Sequence, residues 1–484
     1  MKFVSPIIVC YTGNKEISAS DIRHYHDLVD MNAVRVKWVA LQTPLTRVKR
    51  TVFGELRLID IYRTTFKARE KKNSREKVLE KFRNTSLINF NDPLFGEQWY
   101  LLNKGQTGSA PDNDINVLPV WKSGITGKGV RISVLDDGIH PQSEEVAQNY
   151  DSTSSEDLSF KKSNYNPIPE NSHGTYCAAI AAGVANNNVC GVGVAYDAKI
   201  GGVRIIDGPV TDAQEAMALI HALEHVDIYT ASWGPNDDGK SIAGPGLLAK
   251  LAFLKGISEV VPEGKGKCRK TFQGTSAAAP MAAGVIALML QANPRLTWRD
   301  VQHIIIKTSR IPSTGESRWS VNAAGHHYHL KIGFGILDTA KMVAEALTWK
   351  FVKPLHLWTT PAITQTKFIL PYKSTIIRLL VKKSFMSTQR IDSLESVSAS
   401  VNIIHPRCSK LEIFLISPSG TISQILTKRP LDTDNFRIPY WEFTSLHFWG
   451  EDPNGLWTLK ISNHEGEHKG MVDYFSLSLM GTEL

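Results

Sequence analysis

The stretch GVRISVLDD at 129–137 constrains this chain more than any other. An apolar, β-branched run that ends in two carboxylates reads as a buried strand, and the segments after it set the architecture. HGTYCAAIAAGVA (173–185) is a small-residue helix, AKIGGVRII (198–206) and VDIYTASWG (226–234) are strands, and AQEAMALIHALEH (213–225) is helical. TWRDVQHIIIKTS opens on Thr297 and Asp300, a capping box. Strands alternating with helices predict an α/β domain over 89–350, with a parallel sheet covered on both faces.

From residue 351 the period changes. Val397, Ala399, Val401 and Ile403 alternate with Ser398, Ser400 and Asn402, and WTLKISN and FSLSLMG repeat the habit. Period-two patterning with a Ser417-Pro418-Ser419-Gly420 turn predicts an all-β sandwich or barrel over 351–484, a stabilising domain without chemistry. Ahead of the α/β region, residues 1–50 end in Arg47-Val48-Lys49-Arg50, and 51–88 form a basic connector. The net charge of +8 gathers largely in 61–83, IYRTTFKAREKKNSREKVLEKFR. No RNA- or DNA-binding motif accompanies it, so no nucleic-acid partner is expected. None of the five cysteines has metal-ligand spacing. The start, MKFVSPIIVCYTG, is a poor signal peptide, and no apolar run is long enough to span a bilayer, so no membrane anchor is expected in this chain. An Asn-x-Ser glycosylation site at Asn84 favours the secretory pathway.

Chemistry enters at TFQGTSAAAPMAAGV (271–285). Alone, Ser276 could be helix punctuation, with Pro280 tolerated in a first turn. Asp136, however, lies at the carboxyl end of a strand, where open α/β sheets carry ligands. His173 heads a helix. A serine hydroxyl needs a base to take its proton, and the base needs a buried carboxylate to fix its tautomer. Asp136, His173 and Ser276 follow the subtilisin order, and Gly274-Thr275-Ser276-Ala277-Ala278 is not the G-x-S-x-G of the α/β-hydrolases. A helix starting at the serine aims backbone N–H groups at developing negative charge.

VLDDGI, NSHGTYCAAIAAGVANNNVCGVGVAY, TASWGPNDDGK, GTSAAAPMAAGVIALML and LTWRDVQHII together resemble the subtilisin/kexin-like proprotein convertases, over residues 89–484. The β-rich end, with NIIHPRCSKLEIFLISPSG and FWGEDPNGLWTLKISN, resembles that family's P domain, a jelly roll. The resemblance implies a calcium-dependent serine endoprotease, made as a zymogen. Such an enzyme cleaves protein precursors after paired or multiple basic residues in the secretory pathway, in the trans-Golgi network or after secretion. It implies that Asp237 faces the basic residue before the scissile bond, Asp137 and Glu170 the one preceding it, and Asp212 and Glu215 sites further upstream. Pro209, Asn236 and Ala243 replace family acids, which implies looser upstream selectivity. For Ca²⁺ it implies side-chain ligands Asp92, Glu145 and Asn187 with the carbonyls of Val184, Val189 and Gly191, an oxygen-only set. A second calcium site fares worse, because Lys162 and Asn164 stand where carboxylates are expected beside Asp157. Cys190 and Cys268 match a family disulfide, leaving Cys177 as a buried thiol beside the histidine. Arg47, Lys49 and Arg50 match the autoprocessing site that ends the family's own inhibitory propeptide; a chance tetrapeptide in a basic region competes with that reading.

One part of the pattern is missing. In the family, the helix matching 247–258 leads into another sheet strand, an oxyanion-hole Asn, calcium ligands and a wall of the specificity pocket, and only then into the cysteine matching Cys268. Here about ten residues span that gap, and a parallel crossover needs a dozen or more. No Asn lies between Ala243 and Ser276. The chain therefore reads either as an impaired version of a convertase or as a non-catalytic relative that binds basic precursors or partners.

Overall fold

The computed structural model describes residues 48–49, 88–159, 172–206, 208–234, 244–256, 275–313, 318–382, 384, 389–433 and 438–484. Strand β1 (Val48–Lys49) precedes the α/β unit. That unit holds α1 (Leu118–Lys122), β2 (Arg131–Asp136), β3 (Glu156–Asp157), α2 (His173–Ala182), β4 (Lys199–Arg204), α3 (Asp212–Ile220), β5 (Ile228–Ala231), β6 (Trp233–Gly234) and α4 (Leu247–Gly256). It continues through α5 (Thr275–Ala292), α6 (Trp298–Thr308), the hairpin β7 (Ser320–Val321) and β8 (His327–Tyr328), and α7 (Thr339–Thr348).

The sheet runs β3-β4-β2-β5 and every pairing in it is parallel. Ile132, Val134, Ile200 and Ile228 point into a core closed by Cys177, Ala178 and Ala181 of α2 and by Val285–Leu290 of α5. Small side chains on α2 let it approach the sheet closely, as the alanine-rich sequence requires. Among the described residues no strand pairs with the outer side of β5. The expected helix over 213–225 stops at Ile220, because Ala222 takes a left-handed φ of 51°. The capping box at α6 forms: Thr297 Oγ1 accepts from the Asp300 N–H and Asp300 from the Thr297 N–H. Thr297→Ala is expected to cost about 1 kcal/mol, read from denaturant midpoints.

The β-rich unit is a sandwich. β9 (His356–Thr359), β10 (Lys367–Ile369), β12 (Ser393–Ile404), β15 (Ile438–Ser445) and β17 (Gly470–Thr482) form one antiparallel sheet. β11 (Ser374–Val381), β13 (Leu411–Ile416), β14 (Ile422–Leu426) and β16 (Gly455–Asn463) form the other, in the order β11-β16-β13-β14. The alternating apolar residues of β12 are all buried against Trp457, Leu459 and Ile461 of β16. A buried ionic cluster joins the two units. Glu395 on β12 accepts from Arg299 Nε at 2.8 Å and lies 3.1 Å from His303 Nε2, both on α6. Burial pushes the Glu395 carboxyl up, but the Arg299 and His303 hydrogen bonds outweigh it and hold it below the usual range.

Candidate active site

Asp136 ends β2 and His173 begins α2, so a strand end and a helix start deliver the pair. His173 Nδ1 lies 2.8 and 2.9 Å from the two Asp136 oxygens, and both residues are buried. Burial pushes the Asp136 carboxyl above its ordinary range, while the His173 hydrogen bond pulls against that. Gly174 permits the approach: a Cβ there would stand 2.5 Å from the Gly138 carbonyl oxygen and 2.9 Å from Asp136 Cβ. Asp137 accepts from the His173 and Gly174 N–H groups at 3.3 and 2.8 Å, so its carboxylate caps α2. This cap holds the histidine in place, a role separate from the substrate contact that the resemblance implies for Asp137.

Ser276, fully buried, sits in the first turn of α5, and its Oγ donates to the Ser232 carbonyl at 3.1 Å. A hydroxyl has one proton, so in this arrangement that proton rests on the backbone between β5 and β6. Pro280 lies inside α5 rather than in its first turn, which corrects the sequence expectation. Lacking an N–H, Pro280 leaves the Ser276 carbonyl without its i→i−4 partner. Ser232 Oγ and Cys177 Sγ take that carbonyl at 3.3 and 3.4 Å. Cys177 is a buried thiol outside any disulfide, and its Sγ lies within 4.8 Å of ligand atoms of Asp136 and His173. Ser232 was not singled out from sequence; only its place beside Trp233-Gly234 in TASWG could have pointed to it.

Beside the serine, β1 pairs antiparallel with β6, Val48 opposite Gly234 and Lys49 opposite Trp233. The Val48-Lys49 backbone thus lies along the strand that follows Ser232, while Arg47 and Arg50 fall outside the described residues. So do Glu170, Asp237, Asn236, Ala243 and Cys268. The other two expected upstream acids lie on α3. Asp212 accepts from the Leu248 and Ala249 N–H groups at 2.8 and 2.9 Å, so its carboxylate caps α4. Glu215 is buried in the first turn of α3.

A second cluster lies beyond the carboxyl end of α2. Asp92 accepts from the Asn186 and Asn187 N–H groups, and Glu145 Oε1 from the Gly191 N–H at 3.3 Å. Asn186 and Asn188 adopt left-handed φ of 60° and 61°, a conformation asparagine tolerates, and this bends the loop around the carboxylates. Asn187 Oδ1 accepts from the Val189 N–H, and Val184 donates to the Glu145 carbonyl. Glu145 Oε2 is buried without a hydrogen-bond partner among the described residues. Burial pushes the Glu145 carboxyl up to about 8, and the nearby charge of Asp92 adds to the effect. Two buried carboxylates with an orphaned oxygen, and no cationic partner among the described residues, are the donor set a hard cation such as Ca²⁺ takes. Asp157, by contrast, is spent on Arg204 at 3.4 Å and on Ser159, while Lys162 and Asn164 lie outside the described residues. Cys190 is in a disulfide whose partner is outside the described residues.

A buried Asp–His pair at the carboxyl end of the interior strand β2, with a serine in the first turn of the long helix α5, defines the subtilisin-like class. Residues 127–257 and 242–335 match the subtilase family, and 394–479 match the proprotein convertase P-domain. Proprotein convertase subtilisin/kexin type 4 of Rattus norvegicus is 36% identical, over 82% of this chain and 69% of its own length. Type 6 of Homo sapiens is 38% identical, over 81% of this chain and 49% of its own. Furin of Bos taurus is 36% identical, over 81% and 58%. The chain belongs to the proprotein convertase family of subtilases, and spans about half the length of the type 6 relatives it matches. The type 6 alignment runs over 476 positions yet takes in 81% of this chain, so that relative has stretches inside the aligned span with no counterpart here. Among solved structures, the serine protease of Aeromonas sobria in complex with its chaperone shares the fold, with a TM-score of 0.67 at 18% identity over 84% of this chain and 99% of its own.

Proposed function

We propose that the chain carries the machinery of a calcium-dependent serine endoprotease that processes precursors after paired or multiple basic residues in the secretory pathway, impaired here at its oxyanion hole. The observation that carries this reading is the buried Asp136–His173 pair with Ser276 and the β1–β6 pairing beside it. Asp136 holds the Nδ1–H tautomer, so Nε2 is the base. When the Ser276 hydroxyl leaves the Ser232 carbonyl, His173 Nε2 takes its proton, and Oγ attacks the scissile carbonyl. The tetrahedral oxyanion then meets backbone N–H groups at the start of α5, which have no intrahelical acceptor. The second donor, the asparagine side chain the family uses, has no match between Ala243 and Ser276.

The β1–β6 pairing supports reading Arg47-Val48-Lys49-Arg50 as an autoprocessing site, since an extended product adds as a strand to such an edge. Asp237 and Glu170 would pair with substrate cations, and Cys268 would complete the disulfide of Cys190. Asp92, Glu145 and Asn187, with the carbonyls of Val184, Val189 and Gly191, would hold Ca²⁺, which neutralises the paired carboxylates and ties 91–94 to the loop before β4.

Glu145 also sets a pH test. Its folded pKa, about 8, lies above the unfolded 4.5, so between these values the folded chain holds a proton that the unfolded chain has lost. Stability in a calcium chelator is therefore expected to fall as pH rises through that window. Glu145→Gln should flatten the slope, and calcium should raise the melting temperature most near pH 8. A melting temperature indifferent to calcium at every pH would count against the site.

The second reading, a non-catalytic convertase-like protein that binds basic precursors or partners, is favoured by the open side of β5 among the described residues. Sequencing the transcript across the codons for residues 255–268 separates the two readings. An in-frame insert encoding a strand and an Asn supports the protease; a reproducible junction without it supports the binding protein.

A further inference from the structure

We propose that the outer face of the β11-β16-β13-β14 sheet docks onto an anionic lipid bilayer. The inward residues of these strands, such as Ile377, Leu379, Trp457 and Leu459, fill the sandwich core. An antiparallel sheet covered on one face normally turns polar side chains outward. Here the outward positions of β11 and β16 carry Ile376, Leu380 and Leu456 between Arg378, Thr458 and Lys460. Leu380 stands opposite Leu456 and Ile416 continues the surface onto β13, whereas Phe414 and Ile422 line a cleft shared with Tyr328 and Leu330 of the α/β unit. Leu380, Leu456 and Ile422 are 57%, 47% and 53% exposed, and Ile376 beside them is 41% exposed.

The charges interleaved with this surface select its partner. Arg378 and Lys460 project from the same face, and Lys460 Nζ lies 5.7 Å from the centroid of the Phe414 ring. At the adjoining edge Phe368 is exposed, with Lys469 Nζ 6.0 Å from its ring centroid. Among the described residues, the one carboxylate at these outward sheet positions, Glu412, is engaged by His464 at 2.6 Å. The chain from Lys350 to Arg390, which includes edge strand β11, carries eight Lys and Arg residues and no Asp or Glu. Apolar and aromatic groups interleaved with cations match the interfacial zone of a bilayer rich in anionic headgroups. A second copy of the chain is a poor occupant, because it would bring the same cations face to face.

The test is co-sedimentation of the whole chain with phosphatidylcholine vesicles, with and without about 30% phosphatidylserine, at low and high salt. Binding is expected only to the anionic vesicles and should weaken with salt. Leu380→Glu with Leu456→Glu should weaken it at least about tenfold, and Arg378→Gln and Lys460→Gln by about fivefold each. All four side chains point outward, so circular dichroism and melting temperature should not change; Ile376→Ser serves as an independent variant if the double change perturbs folding. Failure to sediment with either vesicle would overturn the proposal. So would binding unaffected by the apolar substitutions, which would mark a simple polyanion site that heparin competes for equally.

Discussion

Grafting a strand-plus-asparagine segment between positions 257 and 268 is expected to raise turnover of an Arg-x-Lys-Arg fluorogenic peptide by at least about 10²–10³-fold. That range is what one oxyanion donor contributes when it is removed from an otherwise intact site. The graft should do more than supply an amide. In the described residues β5 has no neighbour on its outer side, and a strand entering there would complete the sheet beside Ser232, whose carbonyl now holds the Ser276 proton. A graft carrying Ala in place of the asparagine should recover the folding benefit without the turnover. Ser276→Ala in the active graft should abolish cleavage. A folded graft with no gain in turnover would place the defect elsewhere.

Glu395→Ala is expected to cost about 3–5 kcal/mol of stability, because it leaves Arg299 buried without its carboxylate. Arg299 is 7% exposed and donates also to the Lys353 carbonyl, so it cannot turn to water without breaking the seam between α6 and β12. Replacing both partners, as Arg299→Met with Glu395→Leu, should be far milder, since the buried guanidinium is then removed together with its carboxylate. Denaturant unfolding with matched m-values would compare them. Equal losses for the single and double variants would show that the pair matters through shape rather than charge.

Much of this molecule is legible in its sequence wherever local pattern decides structure. The alternation of Val397, Ala399, Val401 and Ile403 forces one face of β12 inward, and the Thr297–Asp300 box needs only four consecutive residues. Asp136 and His173 are found by chemistry and order, because a strand end and a helix start must bring them together. Contacts between distant segments are different. Nothing local to Asp212 says that it caps a helix beginning at Leu247, and Arg299 lies 96 positions from the glutamate that holds it. Asp137 and Asp212 both serve helix ends in the folded chain, contacts that no local pattern announces. Pro280 shows the same limit: its missing N–H is visible in the sequence, but the Ser232 and Cys177 groups that answer it are not.

The central proposal is that the chain carries the triad residues Asp136, His173 and Ser276 while its oxyanion hole is incomplete. Its most direct test is cleavage of an Arg-x-Lys-Arg fluorogenic peptide by the unaltered chain in calcium, beside the Ser276→Ala variant. Negligible turnover is expected from both. Robust calcium-dependent turnover by the unaltered chain, abolished by Ser276→Ala, would contradict it.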